Sequence, residues 1–319
     1  MSTTLRLAAL AVGLLLAAAP AAATTTGDSV PVDSAAAGFC DATLIGTALR
    51  APDFAPATQK KIDEDIAIAR AALAIAPDRE DSYFWLGRRL GYAGRFCEAV
   101  DVFTRGLAVF PDSYALLRYR GRHLARVRQF DLALADYQRA MDLMSGQLDY
   151  FEPDGLPNRI GLTLGTYKSN IIYYHAQTSF AVGDYHRVVE GMARSYTLVP
   201  VFSRDDMLPP TAYWTYLAYR KLGMVDEARR AVADIPADLQ LVENAEYYRA
   251  VQMMQGRISP DDLADSSDST IKFAVAMERR FNGEEAEAKR LLREIVDDSA
   301  QGHWPAESEL LAPDRMVSN

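Results

Sequence analysis

The sequence predicts an all-α chain folded as a right-handed superhelical solenoid of stacked antiparallel helix hairpins. Two observations predict this fold. The segment 81–111 recurs 34 residues further along the chain, so that Gly87 corresponds to Gly121. The prolines Pro77 and Pro111 are separated by the same distance, and each ends an apolar helical pattern. A repeat of this length is typical of helix pairs that stack on one another.

Small residues at fixed positions indicate how the two helices of a hairpin pack. Gly87, Ala99 and Gly106 let the helix backbones approach closely, and Phe103 fills the space beside them. Gly94 lies in the predicted turn between the helices, where a positive φ favours glycine. The second helix ends at a proline, because proline lacks an amide hydrogen and disfavours helix in the residue before it.

This pattern resembles the tetratricopeptide repeat (TPR) family. The residues that match the family pattern are Leu86–Gly87, Leu90, Gly94, Ala99, Phe103 and Pro111. The resemblance implies that the first helix of each hairpin lines a concave groove. The segments EPDGLPN (152–158), SNIIYYHA (169–176) and HWPAESEL (303–310) give a looser resemblance, over about 150–312, to uncharacterised exported bacterial TPR proteins. This resemblance implies no known activity.

The N-terminal segment is predicted to direct export of the protein. Residues 1–23 form a secretory signal peptide with Arg6 at its start, an apolar stretch over 7–19 and small residues at the cleavage site. The alternative is a membrane anchor, but this stretch falls short of the roughly 20 residues that a spanning helix needs. We therefore expect a periplasmic or secreted protein whose mature chain has no transmembrane segment. Residues 24–37 are a flexible lead-in.

The rest of the chain divides into two blocks, a loop and a tail. Residues 38–145 form an N-terminal TPR block with a degenerate first repeat. Residues 146–168 interrupt the helical pattern with several glycines and prolines, and this loop insertion also carries apolar and aromatic side chains. We therefore expect an ordered loop that packs on the solenoid. A C-terminal TPR-like block with a capping helix covers 169–312, and 313–319 form the tail.

Three details of the second block are predicted from its prolines. Pro209 and Pro210 are expected in the first turn of a helix, where proline is tolerated. A helix hairpin is expected over 240–265. A last helix over residues 305–311 is expected to cap the apolar end of the solenoid.

The charge and the cysteines restrict the function. The formal net charge is −9, which argues against a general nucleic-acid binder because phosphate backbones need a basic surface. The chain contains two cysteines, Cys40 and Cys97. In an oxidising compartment they form either a disulfide or two separately packed thiols.

The clearest functional pattern lies on the first helix of the second regular repeat. Arg118, Arg122 and Arg126 are spaced i, i+4, i+8 and share one helix face. The same phase in the other repeats completes a predicted ligand-binding groove of Arg88, Arg118, Arg122, Arg126, Tyr92, Tyr119, Tyr173, Gln177, Tyr213 and Trp214. Tyr174 shares this phase, but adjacent helical residues diverge, so Tyr173 and Tyr174 are not expected to face the groove together.

An arginine-rich and aromatic groove suits a ligand with carboxylates or phosphates beside flat or apolar parts. The leading hypothesis is a scaffold protein that holds an extended peptide or the tail of a partner protein. The alternatives are recognition of an envelope glycan, stacked on Tyr213 and Trp214, or of an anionic lipid head group. In a third interpretation, the arginines form surface ion pairs with Asp81, Asp101 and Asp131.

The sequence predicts no catalytic residue, no metal site and no cofactor, and we expect a protein that is not an enzyme. The four histidines are scattered and lack the spacing of metal ligands. Residues 269–272 match S-x-x-K, but the companion motifs of that site are missing. A hydrolase whose residues meet only in three dimensions is the lesser alternative. Tyr247 and Phe273 are expected in the core between repeats.

Overall fold

The computed structural model describes Cys40, residues 42–153, Leu156 and residues 158–312. The predicted signal peptide, lead-in and tail lie outside these residues. The described residues cluster as one compact unit. The described part contains thirteen α-helices, and its only β pairings are two isolated bridges.

Most of the helices form consecutive pairs. The N-terminal ones are α1 (Pro56–Ile75), α2 (Glu80–Tyr92), α3 (Phe96–Val109), α4 (Tyr114–Arg126), α5 (Phe130–Leu143), α6 (Tyr167–Ala181) and α7 (Tyr185–Leu198). The C-terminal ones are α8 (Arg204–Lys221), α9 (Val225–Ala233), α10 (Ala245–Met254), α11 (Ser269–Phe281), α12 (Glu285–Asp297) and α13 (Trp304–Leu311).

The predicted solenoid of helix hairpins is confirmed. Each of α2, α4, α6 and α8 packs against the helix that follows it, and these four also pack on one another in succession. They form the inner layer, and α3, α5, α7 and α9 form the outer layer. The first helices of successive hairpins therefore share one surface, which positions the site described below.

The repeated glycines and aromatics pack as the sequence predicts. A Cβ added at Gly87 would lie 2.4 Å from the ring of Phe103, and one added at Gly121 would lie 2.9 Å from the ring of Tyr137. Both rings are fully buried. Gly94 adopts a φ of 72° in the turn between α2 and α3. The helix backbones in both hairpins thus approach too closely for any side chain but hydrogen.

Two predictions for the C-terminal block are wrong. Pro209 and Pro210 lie inside α8 rather than in its first turn, because the 3-10 turn Val201–Ser203 leads directly into a helix that begins at Arg204. Residues 240–265 contain one helix, α10, and the 3-10 turn Asp261–Leu263 rather than a hairpin. The run after α10 is rich in serine, aspartate and proline, which favour turns over helix.

The C-terminal helix α13 follows the last hairpin, and its role as a cap of the solenoid stays a prediction. It packs against α12 and against the inner helix α6. Its Glu307 forms an ion pair with Arg128, from the turn after α4, and accepts a hydrogen bond of 2.9 Å from the backbone amide of Leu44. The amide of Arg50 donates to the carbonyl of Ala300 over 2.7 Å. These contacts join the two ends of the described chain. The buried carboxylate of Glu307 needs charged and polar partners, and Arg128 and the amide of Leu44 supply them.

The two cysteines are joined, which resolves the alternative that the sequence left open. A disulfide links Cys40 to Cys97 at the start of α3, with the Cα atoms 5.8 Å apart. The bond ties the segment before α1 to the first complete hairpin. Among the described helices, none is both long and apolar enough to cross a membrane.

Candidate binding cavity

The inner helices enclose a cavity of about 420 Å3, called the main cavity below. Its walls come from α2, α4, α6, α8 and α10, and from the loop between α5 and α6. Of the predicted groove residues, Arg88, Tyr92, Arg118, Tyr119, Arg122, Arg126, Tyr173 and Gln177 line it. The helical phase thus locates these side chains in one cavity, and their role in binding stays a prediction.

Arg118 is paired with a carboxylate from the loop. Its guanidinium donates to both carboxylate oxygens of Glu152, over 2.6 and 2.9 Å, and Tyr119 Oη donates to the same carboxylate over 3.0 Å. Arg118 is only 1% exposed. Burial alone would lower the pKa of Arg118, but the Glu152 carboxylate outweighs burial and raises it above the ordinary value. Arg118 therefore stays charged, and its hydrogen bonds to Glu152 fix the loop to α4.

Arg88 holds the same loop from the neighbouring helix. Its guanidinium donates to the carbonyl of Pro153, and to Tyr92 Oη over 2.5 Å. It also lies 4.6 Å from the centre of the Tyr119 ring, a cation–π contact. Arg88 and Arg118 thus bind residues 152 and 153 of the loop, which forms one wall of the main cavity.

Arg122 and Arg126 differ from the other two arginines because they form no ion pair with a carboxylate of the described residues. Arg122 lies 5.1 Å from the centre of the Tyr174 ring, and Arg126 lies 5.8 Å from that of Phe96. The side chain of Arg126 is exposed at the cavity wall, but its guanidinium lies inside the concave surface, where surrounding protein replaces much of the water. This desolvation and the nearby Arg122 lower the pKa of Arg126 to about 10, so it stays protonated at neutral pH.

The positive charge of the arginines lowers the pKa of nearby tyrosine and histidine side chains. Burial would raise the pKa of Tyr174, but the guanidinium groups of Arg122 and Arg118 outweigh it and lower that pKa. Burial and the neighbouring arginines hold the pKa of His123 well below its ordinary value. His123 is therefore neutral at physiological pH, and the positive charge of the site comes from arginine alone.

Two smaller cavities, each of about 180 Å3, adjoin the main cavity. One lies toward α8 and α13, and the other lies beside Tyr92 and His123. Arg122 and Arg126 line all three cavities. The two arginines without carboxylate partners therefore lie where the cavities meet.

Two predicted groove residues, Tyr213 and Trp214, do not line the main cavity. Tyr213 is 1% exposed, packs edge-on against the ring of Tyr247 and donates from Oη to the carbonyl of Thr270 over 3.0 Å. Trp214 is 3% exposed and stacks on Trp304 with ring centres 6.1 Å apart. Neither ring forms an open stacking surface in the main cavity, although Trp214 lines one of the two smaller cavities. α8 begins earlier than expected and packs on α10 and α13, which cover these rings.

Several residues of the main cavity were absent from the predicted set, among them two tyrosines and a glutamate. Tyr174 lines it together with Tyr173, so the expectation that only one of this pair faces inward is wrong. Tyr247 lines it too, although it was expected in the core. Glu152 comes from an irregular loop, where no helical phase could place it. None of Asp81, Asp101 and Asp131 forms an ion pair with the cavity arginines, so those pairings are not formed.

No candidate metal centre is found among the described residues, which contain no cluster of three or more histidine, cysteine or acidic side chains suited to an ion. The S-x-x-K segment lies in the first turn of α11, where Asp268 caps the helix. His303 caps α13 by accepting from the amide of Ala306 over 3.2 Å. Asp268 and His303 thus each serve a helix end, and Lys272 of the S-x-x-K segment pairs with Glu294 and Asp298.

The spacing of the helices decides the fold type. α2 begins at Glu80 and α4 at Tyr114, which reproduces the 34-residue period of the sequence. The fold is TPR-like. No family model matches the chain, and no curated protein matches it.

Two solved structures show a weak likeness to this TPR-like chain. One is YrrB, described as a TPR protein with an unusual peptide-binding site, at 11% identity and a TM-score of 0.41, covering 75% of this chain and 95% of YrrB. The other is the complex of Naa15/Naa10 with HypK-THB, at 15% identity and a TM-score of 0.36, covering 79% of this chain and 37% of the matched chain. This chain thus spans well under half of the second neighbour. At these scores the likeness carries no argument about function.

Proposed function

We propose that this TPR-like chain is a non-enzymatic binding protein whose main cavity holds an acidic segment of a peptide or partner protein. The observation that carries the proposal is the state of Arg122 and Arg126. Both are charged and accessible from the cavity, and neither has a carboxylate partner among the described residues. A guanidinium presents several donors in a plane, and it binds carboxylates more tightly than neutral acceptors.

The balance of charge in the wall favours an anionic ligand. Four arginines line the main cavity, and the described wall contains two acidic side chains, Glu152 and Glu243. Glu152 is already committed to Arg118. A carboxylate from a ligand would meet two guanidinium groups with little competition, in a concave site where the surrounding protein strengthens the attraction by lowering the local dielectric constant. The tyrosine rings beside them suit apolar parts of the same ligand.

The size of the site sets the scale of the ligand. A volume of about 420 Å3 falls in the range of ordinary ligand sites. It accommodates a short stretch of chain rather than a folded domain. We therefore propose that a partner inserts a tail or a loop into the cavity, while the rest of the partner stays outside.

We also propose that the protein is exported and acts in the periplasm or outside the cell. The sequence of residues 1–23 suggests this, and the Cys40–Cys97 disulfide supports it because such bonds persist in oxidising compartments.

A second candidate is recognition of an anionic lipid head group. Leu156 and Leu162 line the edge of the main cavity, and both are exposed. Apolar side chains next to a cationic site suit an amphiphile. Glycan stacking has less support, because Tyr213 and Trp214 are covered by neighbouring helices.

Fluorescence anisotropy with a short labelled oligoglutamate tests the proposal. The net charge of −9 repels this probe, so nonspecific capture is disfavoured. Arg122→Gln and Arg126→Gln should each weaken binding by about tenfold, since each removes a charge-assisted hydrogen bond. Arg139→Gln, which makes the same change in charge on the outer helix α5, is the matched control. Equal binding by all three variants and the wild type would rule out the cavity as the binding site.

Sedimentation with phosphatidylglycerol vesicles separates the two candidates. The peptide proposal predicts that vesicles neither bind the protein nor displace the oligoglutamate. If vesicles bind and Arg122→Gln abolishes that binding, the lipid head group is the better assignment.

A further inference from the structure

The small cavity between α4, α6, α8 and α13, called the inner cavity below, has a chemistry distinct from that of the main cavity. Its volume of about 180 Å3 corresponds to about six water-sized groups. Arg122 and Arg126 lie in its wall where it meets the main cavity. Its described wall contains no carboxylate side chain. The inner cavity is therefore small, adjacent to two cations and free of competing acids.

Two polar groups in this wall are buried and have no hydrogen-bond partner among the described residues. They are the hydroxyl of Tyr137 and the indole Nε1 of Trp214, which lies near the side chains of Tyr173 and Tyr247 without a well-formed hydrogen bond to either. Tyr137 is 0% exposed, and Trp214 is nearly as deeply buried. Buried polar side-chain atoms in native proteins nearly always have a partner, so an exception calls for an explanation.

Other buried or half-buried tyrosine hydroxyls in the protein do donate hydrogen bonds to protein acceptors. The hydroxyl of Tyr213 donates to the carbonyl of Thr270, and that of Tyr248 donates to the carbonyl of Pro236 over 2.8 Å. Tyr119 donates to Glu152. Tyr137 and Trp214 therefore stand out, and both lie in the wall of the inner cavity.

The chemistry of the four groups defines what they can bind together. An indole and a guanidinium donate hydrogen bonds and accept none, and a tyrosine hydroxyl can donate one. An ionised carboxylate or phosphate group has only acceptor oxygens and carries negative charge. An oxyanion is thus the group that satisfies all four at once, whereas a cation or a hydrogen-bond donor would satisfy none of the arginines.

We propose that the inner cavity is an oxyanion subsite, in which a carboxylate or phosphate group accepts hydrogen bonds from Tyr137 and Trp214 and is neutralised by Arg122 and Arg126. This deepens the proposed function, on which it rests, because the oxyanion enters from the main cavity. The small volume admits the oxyanion and a short stem. Bulkier parts of the ligand stay in the main cavity, among the tyrosine rings.

Tyr137→Phe tests the subsite, because it removes one hydroxyl and keeps the packing of the ring against Gly121. Titration calorimetry with inorganic phosphate, with acetate and with oligoglutamate should show affinity about tenfold weaker than in the wild type for the anions that bind. The unfolding midpoint in urea should stay unchanged or rise, since the hydroxyl has no partner to lose. A merely structural hydroxyl would instead show lower stability with unchanged affinity.

Two further variants keep the experiment decisive. Tyr248→Phe removes a hydroxyl that has a protein partner away from the cavity, so it should lower stability and leave anion affinity unchanged. Trp214→Phe removes the second donor and should also weaken anion binding. The wild-type tryptophan emission should change on anion binding, because Trp214 would be in contact with the oxyanion.

The outcomes separate the subsite from the proposed function. Oligoglutamate binding that needs Arg122 but is unaffected by Tyr137→Phe and Trp214→Phe overturns the subsite and leaves the peptide proposal standing. Phosphate binding that needs Tyr137, without binding of oligoglutamate or acetate, supports the subsite and overturns the peptide proposal. If neither phosphate, acetate nor oligoglutamate binds the wild type, the subsite is overturned.

Discussion

The ion pair between Arg128 and Glu307 closes the chain on itself, and its removal should loosen the contacts between the two ends of the described chain. The guanidinium donates to both carboxylate oxygens of Glu307, one of them over 2.9 Å. Glu307 is 0% exposed and also accepts from the backbone amides of Leu44 and His303, over 2.9 and 2.8 Å. We choose Glu307→Ala as the perturbation, because it removes the acceptor of all these bonds.

The magnitude follows from burial. Breaking a buried ion pair by removing one partner typically destabilises a protein by about 3–5 kcal/mol, because the other charge is left buried and unpaired. Arg128 also adopts a φ of 63°, an unfavourable conformation for a residue with a side chain, which its ion pair helps to hold. We therefore expect Glu307→Ala to lower the free energy of unfolding by about 3–5 kcal/mol.

Urea unfolding followed by circular dichroism measures this change. Asp112→Ala is the matched control, because Asp112 pairs with Arg139 on the surface at 3.3 Å, and exposed pairs contribute about 0–1 kcal/mol. Hydrogen exchange should increase in residues 42–50 and 299–311, which the pair holds together. If Glu307→Ala unfolds at the same urea concentration as Asp112→Ala, the chain is not closed by this contact and the reasoning is refuted.

Three further predictions concern other contacts. Replacing Cys40 and Cys97 together by serine should lower the free energy of unfolding by about 2–4 kcal/mol in urea, and an unchanged midpoint would show that the disulfide does not constrain the chain. Burial and nearby arginines lower the pKa of His303 to about 3, so the unfolded chain binds a proton there first and stability should fall as the pH drops from about 6.5 toward 3. His303→Asn keeps a capping side chain and should lose less stability between pH 7 and 4; an identical loss in both proteins would contradict this assignment. Glu152→Gln should lower the thermal midpoint, because Arg118 loses its counter-ion, and should raise the affinity for oligoglutamate several-fold in anisotropy; weaker binding would contradict the charge argument.

The local part of the fold could be predicted from the sequence, because it depends on contacts between neighbouring helices. The 34-residue period placed the hairpins α2–α3 and α4–α5 correctly, and the spacing of Arg118, Arg122 and Arg126 located the cavity. Both depend on the periodicity of the helix and on small residues that recur at one offset.

Long-range contacts could not be predicted in this way. Arg128 and Glu307 are 179 residues apart, and neither shows a pattern that points to the other. Glu152 lies in a loop with no period, so nothing in the sequence indicated that it would neutralise Arg118. The wrong placement of Tyr213 in the groove has a different cause. Two prolines inside α8 suggested that this helix starts later than Arg204, and the face predicted to line the groove was therefore the wrong one.

The central claim is that an acidic ligand binds inside the cavity at Arg122 and Arg126. A crystal structure of the protein with bound oligoglutamate tests it most directly. We predict a carboxylate within hydrogen-bonding distance of both guanidinium groups, with the Arg118–Glu152 pair still formed. A peptide bound on the outer helices, with no density near Arg122 and Arg126, would contradict the claim.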